Sequence, residues 1–277
     1  MAQPGLLLRR DGGMATVIIS NPAERNAMTL AMWRELPVLL HRLAADPAVR
    51  VLVLTGDGDT FCSGADIAGL AASDAHEDQD RDTSVNGNKT LAAAVAAEEA
   101  LAAFPKPAIA AVRGYCVGGG CQLAAACDLR YAALDARFGV TPARLGIVYP
   151  ASSTRRLVGL VGPATARYLL YSAELIDAER ALRTGLVDEL LDDGPEFDAR
   201  VADFARALAE RSQLTQRAAK EFTTAALDGT APDPARLAYW AQQARESAER
   251  AEGVAAFLER RAPRFTWTPR REGSTRC

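Results

Sequence analysis

Three consecutive glycines, Gly118-Gly119-Gly120, stand between a β-branched apolar run from Pro107 to Val112 and an alanine-rich helical run from Leu123 to Cys127. That placement predicts a strand-to-helix junction where the backbone comes close to a ligand, because no Cβ stands in the way. The first amides of the following helix are then unobstructed, and the helix dipole makes them a seat for a negative oxygen. Directly after Cys121, where a carboxylate would be well placed for proton transfer, the residue is Gln122. The junction therefore offers anion stabilisation with no acid–base partner beside it.

The rest of the chain sets the limits. Its 277 residues suffice for one large domain, or one domain with a helical appendage. A net charge of −3 argues against a dedicated nucleic-acid binder, which carries a basic field. The apolar stretches are too short and too interrupted by charge to span a bilayer. At the N-terminus three leucines precede two arginines, the wrong order for a secretory signal, so cytoplasmic residence is expected. The five cysteines form no CxxC pair, which argues against a zinc site or redox dithiol. Cys62, Cys116, Cys121 and Cys127 sit among small apolar residues and are expected as buried hydrophobes. Neither His41 nor His76 has the context of a catalytic triad.

Strands are predicted at Met14 to Ser20, Val49 to Thr55, Pro107 to Val112 and Leu129 to Ala133. Between the first two, Thr29 caps a helix to Ala45 that buries Trp33, Leu36, Leu40 and Leu43, with Pro37 expected to kink or break it. A second helix runs from about Thr90 to Phe104 and stops before Pro105 and Pro107. Residues 71 to 89 are polar and acidic, the pattern of a mobile surface loop. After Pro163 helices dominate, one carrying Phe197, Val201, Phe204 and Leu208 on one face and one long helix spanning Ala235 to Arg260. These segments indicate an α/β core with a helical C-terminal part.

The ordered set of motifs resembles the crotonase, or enoyl-CoA hydratase/isomerase, family. It comprises Asn21-Pro22 with Asn26-Ala27-Met28, then Phe61-Cys-Ser-Gly-Ala-Asp-Ile67, Phe104-Pro-Lys-Pro-Ala-Ile-Ala110 and Gly114-Tyr-Cys-Val-Gly-Gly-Gly-Cys-Gln-Leu-Ala124. Cys127-Asp128-Leu129, Arg137-Phe138-Gly139, Leu145-Gly146 and Ala255 to Arg260 complete it, over roughly residues 5 to 266. The resemblance implies an α/β spiral of ββα units over residues 1–200 and a C-terminal helical trimerisation region over 201–264. Residues 265–277 are expected as a flexible tail. It also implies a homotrimer or dimer of trimers, and an acyl-CoA thioester as substrate, with no separate cofactor, no metal and no nucleic-acid or membrane partner.

In that family two backbone N–H groups hold the thioester carbonyl as it becomes an enolate. Motif matching assigns them to Ser63 and Gly119. Preorganised amides stabilise such a localised anion strongly where water is excluded. The resemblance also implies that Arg25, Ala65, Asp66, Ile67 and Arg261 contact the CoA moiety, with Arg264 a further candidate for its phosphates. Asp66 is read first as fixing its loop by local hydrogen bonds.

The chain departs from the family where the acids belong. Hydratases use two glutamates, which match Gln122 and Pro142 here. An amide orients water but accepts no proton at neutral pH. Each positioned acid or base contributes on the order of 10²–10⁴ in rate, so efficient hydration is not expected. The stretch from Thr141 to Tyr149 resembles the decarboxylase branch, which has a tyrosine at Tyr149, a histidine at the place of Ala65 and a glutamate at that of Gln122. Tyr149 is accordingly a candidate proton donor, beside the alternative of a core tyrosine. Arg144 is expected in solvent, beside the alternative of pairing with a substrate carboxylate or CoA phosphate. Glu98 and Glu99 are expected as solvated helix charges, although the resemblance implies that some members draw an acid from that region. The function expected is enolate chemistry on an acyl-CoA, either isomerisation, decarboxylation or weak hydration. A non-catalytic acyl-CoA binding or assembly protein is the alternative; nucleotide-phosphate binding lacks its fingerprint, and RNA binding sits poorly with the acidic composition.

Overall fold

The computed structural model describes residues 3–66 and 89–269. Ile67, His76, the acidic stretch as far as residue 88 and residues 270–277 with Cys277 lie outside the described residues. The first two strands, β1 (Gly5–Asp11) and β2 (Met14–Ser20), form an antiparallel hairpin in register from Gly5↔Ser20 to Asp11↔Met14. The sequence reading did not anticipate β1, whose alternation is blurred by three successive leucines. Beyond β2 the sheet turns parallel, through β3 (Val51–Gly56), β4 (Ala108–Val112), β6 (Leu129–Ala133) and β9 (Glu189–Leu191), in the order β1-β2-β3-β4-β6-β9.

Parallel strands covered on both faces read as near-continuous apolar runs. Here Leu52 and Leu54 face one core with Trp33 and Leu36, while Val51, Val53 and Ile109 face another with Phe197 and Val201. The first core is covered by α1 (Leu30–Ala45), which Thr29 caps by accepting the Met32 N–H at 3.3 Å. Pro37 lies inside this helix without ending it. Packing of Trp33, Leu36, Leu40 and Leu43 on the sheet outweighs the lost backbone bond, since burial of each such side chain contributes about 1.5–3 kcal/mol.

A second layer holds β5 (Tyr115–Val117), β7 (Arg137–Gly139) and β8 (Ile176–Asp177). Bridges Cys62↔Cys116 and Met28↔Ala65 extend it to earlier turns of the chain. Long strand, short strand and helix then repeat, as β4-β5-α3 (Gly119–Ala126) and β6-β7-α4 (Ala151–Ser172), with α2 (Lys89–Ala102) packed between α1 and α3. This is the spiral of ββα units expected from the sequence. Lys106 of the Pro-Lys-Pro motif is buried and locks the layers. Its ammonium donates to the carbonyls of Leu43 at 2.8 Å and Asp46 at 2.6 Å, closing the end of α1.

After α5 (Ala178–Thr184), α6 (Pro195–Glu210) crosses the boundary expected at residue 200, because Phe197, Val201 and Ala205 form one buried face against the sheet. Next come α7 (Gln213–Leu227), α8 (Pro234–Glu246) and α9 (Glu249–Glu259). The single helix expected from Ala235 to Arg260 is two. Ser247 is extended at φ −84, ψ 150, and the break brings the buried Glu249 to accept the Trp267 N–H at 2.9 Å. Trp267, in the stretch expected as a tail, also donates its indole N–H to Gln243 and packs 6.1 Å from the Trp240 ring.

Candidate functional site

Each of the three glycines is required for its own reason. Gly118 sits at φ 54, ψ −119, a conformation that excludes a Cβ. A Cβ on Gly119 would fall 2.9 Å from Trp33 Cζ2, and one on Gly120 would fall 2.3 Å from the Cys62 carbonyl oxygen. The helix packs this closely because β5 and the Cys62 segment run side by side, with Cys62 N–H donating to Tyr115 and Val117 N–H to Cys62. As first residue of α3, Gly119 has no intrahelical acceptor for its N–H, and none elsewhere among the described residues.

The facing segment is pinned residue by residue. Asn26, fully buried at φ 57, accepts the Asn21 N–H and donates to the carbonyls of Asp57 and Thr60. That anchor presents the Arg25 carbonyl, which accepts the Ser63 N–H at 3.1 Å. Ser63, expected to supply an oxyanion donor, thus already has a backbone acceptor for its amide. Its hydroxyl donates to the Glu24 carbonyl. Met28 donates to Gly64 at 2.8 Å and accepts from Asp66 at 3.1 Å, which skips Ala65 in the manner of a parallel bridge. Asp66 thus fixes its loop at least through its backbone. The amide left over is that of Ala65, whose nitrogen lies 3.7 Å from the point where a Gly119 Cβ would stand.

Both free amides border a cavity of about 140 Å³. Its walls include Trp33, Leu91, Leu145 and Ile147, and Ser63, Thr90, Gln122, Thr141 and Tyr149 contribute polar groups. Pro142 lines it too, so the wall that matches the second family glutamate is apolar. Tyr149 lines the cavity, and its hydroxyl has no protein partner among the described residues. Burial above all, then the Cys121 thiol and Glu98 carboxyl, holds this phenol well above its ordinary pKa and keeps it a neutral donor.

Behind Gln122 lies a chain that the sequence reading missed. Gln122 Nε2 donates to Ser153 Oγ at 3.2 Å, and Ser153 Oγ donates to Glu98 Oε2 at 2.5 Å. Arg156 forks across Glu98 Oε1 and Glu99 Oε2, both at 2.6 Å. Glu98, expected in solvent, is 1% exposed. Burial pushes its carboxyl above the ordinary range although Ser153 and Arg156 both favour its charge. One signal was available: Glu98 lies four residues after Ala94 on an alanine-rich face that packs inward. Nothing local in the sequence marks Ser153.

The remaining candidates lie apart. Arg25 is exposed, its guanidinium 5.3 Å from the Tyr115 ring centroid. Arg261 is held by Glu252 and Glu259, each at 2.6 Å, and Arg144 is exposed as expected. Cys62, Cys116, Cys121 and Cys127 are all buried, and burial pushes the thiols of Cys62 and Cys127 up to about 12. Among the described residues no cluster suits a metal ion, and no helix is long and apolar enough to cross a membrane.

Residues 9–268 match a family profile described as enoyl-CoA hydratase/isomerase. The chain is 35% identical to a crotonyl-CoA hydratase of Syntrophomonas wolfei over 270 residues, covering 96% of this chain and 99% of that protein. It is 30% identical to a peroxisomal Delta(3,5)-Delta(2,4)-dienoyl-CoA isomerase of Arabidopsis thaliana, covering 92% and 93%. A solved enoyl-CoA hydratase/carnithine racemase from Magnetospirillum magneticum superposes with a TM-score of 0.85 at 32% identity, over 96% of each chain.

Proposed function

The chain belongs to the enoyl-CoA hydratase/isomerase family, and on that premise we propose that it acts on an acyl-CoA thioester by stabilising the enolate between the amides of Ala65 and Gly119. The observation that carries this reading is that neither amide has an acceptor among the described residues and that both residues line one cavity. As charge develops on the thioester oxygen, two fixed donors in a water-poor cleft gain strength without reorganising.

The reaction is enolate chemistry rather than efficient hydration. Abstracting a proton from water needs a base in the cavity, and its described lining carries no carboxylate or imidazole, only hydroxyls, the Gln122 carboxamide and the neutral Tyr149 phenol. The Tyr149 hydroxyl is the group that delivers a proton to the α-carbon or hydrogen-bonds a departing carboxylate. That chemistry suits decarboxylation, in which loss of CO₂ leaves the electron pair on the α-carbon, the two amides hold the enolate oxygen and the phenol gives the proton, so that no base is required. Arg25, beside the Ser63 segment, is the cation that meets the CoA phosphates. Arg261 is already neutralised within the chain and is not called on here. Phe257 and Leu258, 83% and 74% exposed on α9, cover themselves against further copies in a homotrimer or dimer of trimers; analytical ultracentrifugation showing a monomer at micromolar concentration would refute that assembly.

A panel of acyl-CoA thioesters incubated in D₂O and read by mass spectrometry tests the reaction. Deuterium at the α-carbon is the expected result, entering where the enolate left by decarboxylation is protonated. Hydration of crotonyl-CoA at ordinary hydratase rates, undiminished by Gln122→Ala, would refute the reading.

A further inference from the structure

The hydrogen-bond chain behind the cavity has a direction, and the direction decides what Gln122 shows to a ligand. A carboxylate only accepts, and Glu98 uses both oxygens, Oε1 for Arg156 and Oε2 for Ser153. Ser153 has a single proton and gives it to Glu98, so toward Gln122 its oxygen must accept. Only the amide nitrogen of Gln122 can supply that bond, at 3.2 Å. The carbonyl oxygen of Gln122 therefore points the other way. It has no protein donor among the described residues, and with Nε2 turned to Ser153 it is the side of the head group left to face the cavity that Gln122 lines.

The position of that oxygen follows from the helix. Gln122 lies three residues after Gly119, on the same face one turn along, so its head group meets the acyl carbons next to a thioester carbonyl held at Gly119. A buried carboxylate one serine away also explains why an amide suits position 122. A second carboxylate there would compete for the single Ser153 proton and repel Glu98.

We propose that Glu98, acting through Ser153, is a positioning residue of this site: it locks Gln122 with its carbonyl oxygen toward the acyl chain, so that the cavity selects thioesters bearing a hydrogen-bond donor beside the α-carbon over those bearing an acceptor. The inference rests on the acyl-CoA reading given above and adds to it a substrate preference and the residues that set it. Ser153 passes the polarity on; neither residue touches the substrate.

The isosteric change Glu98→Gln reverses the chain. Arg156 still demands an acceptor from residue 98, so the new amide turns its oxygen to Arg156 and its NH₂ to Ser153. Ser153 then donates its proton to Gln122, whose carbonyl swings inward and whose NH₂ faces the cavity. The probes are 3-hydroxybutyryl-CoA and 3-oxobutyryl-CoA, which differ in carrying a donor or an acceptor at the same carbon, with dissociation constants measured by calorimetry. Wild type is expected to favour the hydroxy thioester, and Glu98→Gln to shift the ratio of affinities toward the oxo thioester by about tenfold or more, since a mismatched buried polar pair is left unpaired. In a Gln122→Ala background the same change at Glu98 is expected to leave the ratio unmoved. If Glu98→Gln fails to fold, Ser153→Ala carries the test, with the ratio expected to collapse toward unity. A merely structural role would weaken both ligands together, so binding with an unchanged ratio in either folded variant overturns the inference alone. Failure of wild type to bind either thioester overturns the acyl-CoA reading and the inference with it.

Discussion

The backbone N–H of Ser63 donates to the carbonyl of Arg25 at 3.1 Å. This bond ties the segment before the cavity to the Asn21–Asn26 turn and removes one amide from the list of donors open to a ligand. On the function proposed above, the second donor is Ala65, two residues on. Each of the two amides then has a distinct task, one structural and one chemical.

Amide-to-ester replacement separates those tasks, because it deletes a single N–H without adding bulk. At residue 65 the rate of α-deuterium exchange should fall by on the order of 10²–10³, the effect of losing one donor to a developing oxyanion. At residue 63 the same change should cost about 1 kcal/mol of stability in urea unfolding and leave the exchange rate nearly intact. Equal kinetic losses at both positions would contradict the assignment.

Gly119→Ala places a methyl 2.9 Å from Trp33 Cζ2. The helix start must shift to relieve this contact, and misplacing a donor by about 1 Å costs on the order of 10² in rate. Trp33→Phe removes the opposing ring edge, so the double variant should recover part of the loss in kcat/KM. Gly120→Ala, which meets the Cys62 carbonyl backbone, should fail to fold and cannot be rescued from position 33.

Tyr149→Phe removes a hydroxyl and keeps the ring. If this phenol supplies the proton, kcat for α-exchange should drop by roughly 10²–10⁴ with KM changed by less than about threefold. Steady-state kinetics in D₂O provides the measurement. A loss confined to KM would place Tyr149 in binding instead.

Asn26→Ala deletes three hydrogen bonds, two of them buried and one partly so, and puts a Cβ-only side chain at φ 57. The unpaired carbonyls of Asp57 and Thr60 and the strained backbone together should lower stability by about 2–4 kcal/mol in chemical denaturation. Because Arg25 shares this turn, exchange activity should fall in the folded fraction as well.

The acid limb of stability should report on Glu252. The Arg261 guanidinium, and then the Arg264 N–H, hold its carboxyl down to about 2 from an ordinary 4.5. A depressed acid contributes stability above its unfolded value and loses it as pH falls through the folded one. The Tm advantage of wild type over Glu252→Gln should therefore be present at pH 5 and vanish by pH 2. The pair is open to solvent, so high salt should shrink the difference at pH 5.

Much of this molecule was legible from residue order. The strands at Met14–Ser20 and Leu129–Ala133 fall where the apolar runs lie, and Thr29 caps the helix its position announces. The glycine junction and the burial of four cysteines follow from local chemistry in the same way. Where reading failed, the deciding contact was distant. The helix expected over 235–260 breaks at Ser247 because Glu249 finds Ser212 and Trp267, neither of them its neighbour in sequence.

The candidate site divides along the same line. Sequence by itself determined that two amide-bearing loops and an amide in place of a carboxylate belong to one ordered set of motifs, since backbone freedom and side-chain chemistry are properties of each residue where it stands. Tertiary structure alone decided which amide remains unpaired, because Ser63 and Ala65 differ only in what Arg25 and Met28 take from their surroundings. It also brought Glu98, 24 residues before Gln122, and Ser153, 31 residues after it, into one buried chain. A hydrogen bond is satisfied through space, and local sequence carries no record of which distant group will claim it.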